Sequence, residues 1–506
     1  MSGKVYFVGA GPGDPGLLTC RGRDCLRQAD AVLYDYLADP ELLEFVADDC
    51  ERVCLGAHGK IRLWTLPEIQ SKLVELASSG KRVVRLKGGD PAVFGRLGEE
   101  IAALSEAGID YEIVPGITAA LGAAAYGDVG ITHREWASAV ALVTGQEKRD
   151  KTGERLDYRQ LAQFPGTLAI YMGVTTAESW TEELLAGGKP ADTPVVIIRR
   201  VSWPDQQTLS CRLDEVATLV ARRRLRPPAI FLVGQAARVT PGGGWFERLP
   251  LFGQTVLVTR PRHQAQSLRH MLREQGAAVV LHPVIEIEPP EDLEALDTEL
   301  ERLDRYDWIV FSSANGVSAV LDRLWGQGRD ARAIGTARIA AIGPGTERML
   351  QRYALRADLV PSEFRAEALA DELAPEVAGK RVLLIRASRG REVLAEQLRE
   401  AGADVEQVVA YRSRDVEQAD PDVRLRLERR EIDWVTLTSS AIAHATVRLF
   451  GEALRGTRLA SISPLTSETL RSLGFEPAAE ATVYTMEGLV EAMGRSASRN
   501  AGGDKS

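Results

Sequence analysis

Residues 6–19 read YFVGAGPGDPGLLT, and the reading of this stretch decides the fold of the first half. It combines an apolar strand, a glycine-rich turn and the start of a helix. Gly11, Gly13 and Gly16 fit G-x-G-x-x-G, and Asp35 follows at the end of VLYD, another strand end. That is the outline of a dinucleotide fingerprint. A pyrophosphate site, however, needs free backbone N–H groups and a positive helix terminus aimed at the anion. Pro12 and Pro15 have no N–H, and Asp14 would set a carboxylate against phosphate.

Two further turns follow strands: KGGDPAVFGR (87–96), again acidic and glycine-rich, and VPGITAA (114–120), where Thr118 and small residues open a helix. Three such turns at successive strand ends suit a compact ligand without phosphates, and a cationic one. S-adenosyl-L-methionine fits that description. Its sulfonium and amino groups are positive, and its adenine and ribose can use backbone groups and an acid.

At 506 residues the chain is too long for one core. With 45% apolar and 26% charged residues it has the composition of an ordinary globular protein. A net charge of −9 argues against a nucleic-acid binder held by a basic field, while allowing local basic pockets. No run reaches the roughly 18 apolar residues of a membrane span, and the N-terminus lacks a signal pattern, so a cytoplasmic protein without membrane partners is expected. The five cysteines match no metal-binding spacing and read as structural thiols, so no metal site is expected.

Strand-like runs alternate with amphipathic helical stretches from end to end, which predicts α/β architecture with largely parallel, buried sheets. The best boundary is PGGGWFERLPLFG (241–253). It divides the chain into domains 1–246 and 247–493, and the small, polar stretch 494–506 is expected to be a disordered tail. The second half repeats itself. DWIVFSSANGVSAVLDRL (307–324) is echoed by DWVTLTSSAIAHATVRLF (433–450), and IGPGTERML (342–350) by ISPLTSETL (462–470). The repeat predicts two lobes, residues 253–287 plus 412–492 and residues 288–411, joined by strands crossing near EIEPPED (286–292) and AYRSRD (410–415). The Ser/Thr turns of the repeat either cap helices or face one another across a cleft, and one residue can do both.

VGAGPGDPGLLT, the YD of VLYDYLAD, RLKGGDPAVFGR, VPGITAA, THR (132–134) and YMG (171–173) together resemble the uroporphyrinogen-III C-methyltransferase family, in order and over about 240 residues. FSS-x-x-GV, IGP-x-T and V-x-AYRS in the second half resemble uroporphyrinogen-III synthase. The resemblance implies a two-subdomain tetrapyrrole methylase fold followed by a bilobed α/β synthase fold with two parallel-sheet lobes. It implies ring closure of hydroxymethylbilane to uroporphyrinogen III, then methylation at C2 and C7 to precorrin-2, with S-adenosyl-L-homocysteine as by-product. No segment is left for a dehydrogenase–chelatase module, so precorrin-2 is expected to pass on toward siroheme or cobalamin. The resemblance also implies a homodimer formed through the methyltransferase domain.

Carried over by position, Pro12, Gly88, Gly89, Asp90, Val93, Thr118, Ala119 and Met172 would bind the cofactor, with Asp35 as acid/base residue. Arg134 would bind substrate, as would Ser312, Ser313, Thr346, Thr438, Ser439 and Thr466 in the second half, where Tyr411 would assist departure of the hydroxyl. Two positions depart from the family. Ala57 stands where a proton-donating lysine is usual, with His58 and Lys60 nearby, and Val201 stands where a glycine is usual. A methyltransferase fused to a non-catalytic tetrapyrrole-binding module is the alternative that sequence leaves open.

Overall fold

The computed structural model describes residues 3–56, 62–147, 151–238, 244–389 and 392–503; Ala57, His58 and Lys60 lie outside these. The chain divides into two units. One holds the chain up to Thr255 with Met271–Val279 and the stretch from Gly494, the other Val256–His270 and Val280–Met493.

The first unit contains two five-stranded sheets. The N-terminal sheet comprises β1 (Lys4–Gly9), β2 (Ala31–Tyr34), β3 (Glu51–Cys54), β4 (Arg82–Lys87) and β5 (Asp110–Val114), in the order β3-β2-β4-β1-β5. All its pairings are parallel. Its strands are apolar runs because both faces are covered: Val5, Phe7, Val8, Val32, Leu33, Val83 and Val84 are fully buried. The second sheet comprises β6 (Val140–Thr144), β7 (Thr167–Tyr171), β8 (Pro194–Arg199), β9 (Gln207–Arg212) and β10 (Ala229–Val233), in the order β6-β7-β10-β8-β9. There β10 runs antiparallel to both β7 and β8.

In the second unit one sheet takes β11 (Thr255–Val258), β12 (Ala278–Leu281), β18 (Trp434–Leu437), β19 (Arg458–Ser461) and β20 (Ala479–Glu480), in the order β12-β11-β18-β19-β20. The other takes β13 (Ile285–Glu288), β14 (Trp308–Phe311), β15 (Arg338–Ala341), β16 (Arg381–Ala387) and β17 (Asp404–Asp415), in the order β13-β17-β16-β14-β15. The antiparallel pair β13–β17, Ile285 opposite Asp415 through Glu288 opposite Arg412, is where the chain enters and leaves the second of these lobes.

The sequence repeat is a structural repeat. Trp308 and Trp434 open β14 and β18, and each lies opposite an arginine of the neighbouring strand, Arg338 or Arg458. Those guanidiniums stand 4.2 and 4.4 Å from the two indole rings. Two residues past each strand a serine, Ser313 or Ser439, caps the following helix, Ala314–Gly326 or Ser440–Phe450.

Two boundaries differ from the sequence expectation. The division falls at Thr255, not at residue 246, because the linker is tied to the turn after helix Arg262–Glu274: the Leu251 N–H donates to the Gln275 carbonyl and the Ala278 N–H to Gln254. Residues 494–503, expected within a disordered tail, are helical, since helix Met486–Gly503 runs through them. Small residues there obscured good helix formers, and Met493 and Ala497 are buried.

Candidate active sites

The first site lies where the loops of the first unit's two sheets converge. A pocket of about 430 Å³ is lined by Pro12, Gly88, Gly89, Asp90, Val93, Thr118, Ala119 and Met172. All eight positions expected to bind the cofactor are therefore brought together. They follow β1, β4, β5 and β7, at the carboxyl ends of strands, where open α/β sheets present their ligands.

The glycines of the opening stretch serve close packing. A Cβ on Gly9 would lie 2.5 Å from the Gly116 Cα, and one on Gly116 only 2.3 Å from the Gly89 carbonyl oxygen. Gly11 and Gly89 exchange two backbone hydrogen bonds, of 3.2 and 2.8 Å. Three turns thus meet without side chains between them. Nothing in this arrangement resembles a phosphate cradle. The Gly16 N–H donates to the Asp14 carboxylate at 2.7 Å, whose other oxygen accepts from the Tyr126 hydroxyl at 2.6 Å. The first full α-helix begins only at Cys20, capped by Thr19, away from the glycines.

Asp90 braces the site. One carboxylate oxygen accepts from the Ala92 N–H at 2.8 Å, the other from the Gly116 N–H at 3.0 Å, joining the turns after β4 and β5. The backbone around the pocket is strained: Phe94 and Met172, with φ of 52° and 53°, both line it, and Arg200 and Ser202, also left-handed, flank the lining residue Val201. Non-glycine residues in this region cost energy and concentrate at ligand sites.

Asp35 is not among the lining residues, although its neighbours Tyr36 and Leu37 are. Its carboxylate pairs at 2.8 Å with Arg85, which also donates to Glu100 at 3.1 Å, and Glu100 binds Lys87. Burial, followed by the neighbouring Arg85, holds the Lys87 ammonium below its ordinary range. Two cations in a buried strand, Arg85 within it and Lys87 at its end, are accommodated because these two acids answer them. Arg134 is exposed, between the paired residues His133 and Ala137, and does not line the pocket.

Sequence reasoning missed Tyr171. It is buried and lines the pocket, and its hydroxyl lies 2.7 Å from the Thr118 hydroxyl and accepts from the Ala120 N–H at 3.0 Å, holding the start of helix Ala119–Tyr126. It sits in the YMG segment, so the signal was present but pointed to Met172. Val201 does line the pocket, and Pro227–Ile230 complete that wall.

In the second unit the expected hydroxyls stand at the carboxyl ends of the two sheets. Ser312 donates to the Ile385 carbonyl at 2.9 Å. Ser313 caps its helix and lies 2.9 Å from the Tyr411 hydroxyl, bringing two of the candidates together. Ser439 caps through the Ile442 N–H, and Thr438 precedes it, half-buried. Thr346 and Thr466 are buried, Thr466 bonding Ser463 at 3.2 Å. Of these groups, Ser313 and Ser439 make local capping bonds at helix starts.

Two family profiles match the chain. That described as tetrapyrrole (corrin/porphyrin) methylases covers residues 4–217, and that described as uroporphyrinogen-III synthase HemD covers 266–491. A protein of Ruminiclostridium josui named porphyrin biosynthesis protein HemD is 32% identical over 489 residues, 96% of this chain and 95% of that one. The chain belongs to the family of tetrapyrrole methylases fused to uroporphyrinogen-III synthase. The uroporphyrinogen-III C-methyltransferase of Bacillus subtilis is 37% identical over 351 residues, 69% of this chain and 72% of its own. A Thermus thermophilus uroporphyrin-III C-methyl transferase, solved with S-adenyl homocysteine, is 38% identical, covers 46% of this chain and 93% of its own, and gives a TM-score of 0.40. The pocket with its glycine contacts lies in the methylase half, and the capped repeats lie in the synthase half.

Proposed function

We propose that this enzyme of tetrapyrrole biosynthesis makes precorrin-2 in two stages. The synthase half closes hydroxymethylbilane to uroporphyrinogen III. The methylase half methylates that product at C2 and C7. The observation that carries the reading is the single pocket assembled by the turns after β1, β4, β5 and β7 in a chain that matches a porphyrin-biosynthesis relative almost end to end. Its volume falls in the range of small-ligand sites, with apolar walls and a few polar groups. Thr118, Gln146 and Asp90 supply hydroxyl, amide and carboxylate, and the absence of a phosphate cradle suits S-adenosyl-L-methionine. That molecule supplies an electrophilic methyl group when bound, leaving S-adenosyl-L-homocysteine.

The protein's part in methyl transfer is alignment, since fixing both reactants can supply roughly 7–11 kcal/mol. Arg85 fixes the orientation of the Asp35 carboxylate, which would take the proton that the ring system gives up, from a position other than the now quaternary carbon, after alkylation. In the synthase half the Tyr411 hydroxyl, seated against Ser313, would donate to the departing hydroxyl of the bilane. The hinge pair β13–β17 would let the lobes close around a flexible substrate and impose the geometry of the type III isomer.

We further propose a cytoplasmic homodimer formed through the methylase half, delivering precorrin-2 toward siroheme or cobalamin. Among the described residues no helix is long and apolar enough to cross a membrane. A one-pot assay tests the main reading. Hydroxymethylbilane alone should give the type III isomer, and adding S-adenosyl-L-methionine should give the dimethylated product. Type I product alone would mean that the second half only binds tetrapyrroles.

A further inference from the structure

Many arginines of the synthase half are answered by acids. Arg323 pairs with Asp297, Arg412 with Glu288 and Glu291, and Arg389 and Arg448 both with Asp415. Arg260 differs. No carboxylate pairs with it among the described residues, and its Nε has no hydrogen-bond partner. One terminal nitrogen donates to the Gln264 amide oxygen at 3.1 Å, and the other meets only the Met486 sulfur at 2.8 Å, a weak acceptor. Burial pushes this guanidinium below its ordinary range with no acid to offset it. A desolvated cation without a counter-ion is costly, so its retention asks for an anion from outside the chain.

Its position says which anion. Arg260 is the second residue past β11, whose parallel pairing sets Val256 beside Trp434 and Val258 beside Thr436. Continuing that register puts residue 260 level with Thr438, at the carboxyl end of the sheet. Gln264, which holds the guanidinium, donates in turn to Asn315 in the other lobe's helix, the one capped by Ser313 beside Tyr411. Exposed apolar side chains stand at other carboxyl ends of the two sheets: Leu465 in the helix after β19, and Phe364 against Gly343, where the helix after β15 begins. A cation with spare planar donors, accompanied by exposed apolar groups, suits a ligand with apolar rings and carboxylate arms.

We infer that Arg260 is a substrate-recognition residue that holds a carboxylate of the linear tetrapyrrole and fixes its folded shape before ring closure. This rests on the synthase reading above. A bidentate guanidinium–carboxylate pair matches the donors left open, and a lysine would reproduce the charge without the fork.

The test uses the full chain with hydroxymethylbilane, in the Arg260→Gln and Arg260→Lys variants. Arg260→Gln should raise KM by about 10- to 100-fold, with a smaller change in kcat and a larger share of type I product. Arg260→Lys should recover part of the KM. The urea midpoint of Arg260→Gln should be unchanged or higher, because an uncompensated buried charge has been removed. An unchanged KM in Arg260→Gln with active wild-type protein overturns the inference alone. So does a lowered midpoint that lysine does not restore, since the guanidinium would then be structural. Wild-type protein that makes no type III product overturns the synthase reading, and the inference with it.

Discussion

Gly116→Ala probes the contact on which the methylase pocket depends. The added Cβ would stand 2.3 Å from the Gly89 carbonyl oxygen, 2.7 Å from the Gly9 Cα and 2.9 Å from the Gly9 carbonyl carbon. All three are backbone atoms, so no rotamer change can make room. Reaching ordinary contact requires the turns after β1, β4 and β5 to part by about 1 Å, and overpacking of that kind costs about 2–3 kcal/mol. The same displacement moves the pocket wall formed by Gly89, Asp90 and Thr118, so methyl transfer should fall by about a hundredfold. Urea unfolding of the full chain reads the first effect and methylation of supplied uroporphyrinogen III the second. The synthase rate serves as an internal control and should not change. Gly98→Ala is the counter-case: nothing lies within 4 Å of its Cβ, and it sits in helix Leu97–Glu106, so it should stabilise by about 0.5–1 kcal/mol. A Gly116→Ala protein with wild-type stability and methylation would refute the idea that these glycines exist for close approach.

Other expectations follow from single contacts. Because Asp90 accepts from both Ala92 and Gly116, Asp90→Asn should lose less S-adenosylhomocysteine affinity than Asp90→Ala by calorimetry; equal losses would mean that the charge, not the brace, matters. Tyr411→Phe should lower synthase turnover by about tenfold or more, while Ser313→Ala should cost about 1 kcal/mol of stability and little activity, and the reverse ranking would point to catalysis by the serine. Burial, followed by Glu215 and Asp214, pushes the Cys211 thiol up to about 12, so at pH 8 only about one part in ten thousand is thiolate. Alkylation at pH 8 followed by peptide mass spectrometry should therefore label exposed Cys20 well before Cys211, and reactivity of Cys211 should rise only as pH climbs toward that value.

What was legible in the sequence was local. Glycine and proline mark turns wherever they occur, so the residues around Gly11, Gly88 and Thr118 could be read as strand-end loops, and they share one pocket. The opposite wall, from Tyr171 to Ile230, comes from ends of apolar strands that carry little local mark. Long-range charge pairing was hidden as well. Nothing near Asp35 announces Arg85, and Arg85 looks out of place in a buried strand until Glu100 is seen beside it. The serine caps were legible because capping chemistry is local, whereas a missing counter-ion, as at Arg260, shows only when every neighbour is known.

The pairing of β13 with β17 has a consequence for how this half could have arisen and how it could be rebuilt. The inserted lobe starts and finishes on adjacent antiparallel strands, Glu288 facing Arg412. Its two ends are therefore neighbours, as in a cassette held by a single clip. A duplicated ancestor could take up its own copy at that place without stretching either sheet, since only a loop need open to admit it. The same geometry makes the inserted lobe a natural module for transplantation, with a short turn sufficient to close the gap left behind.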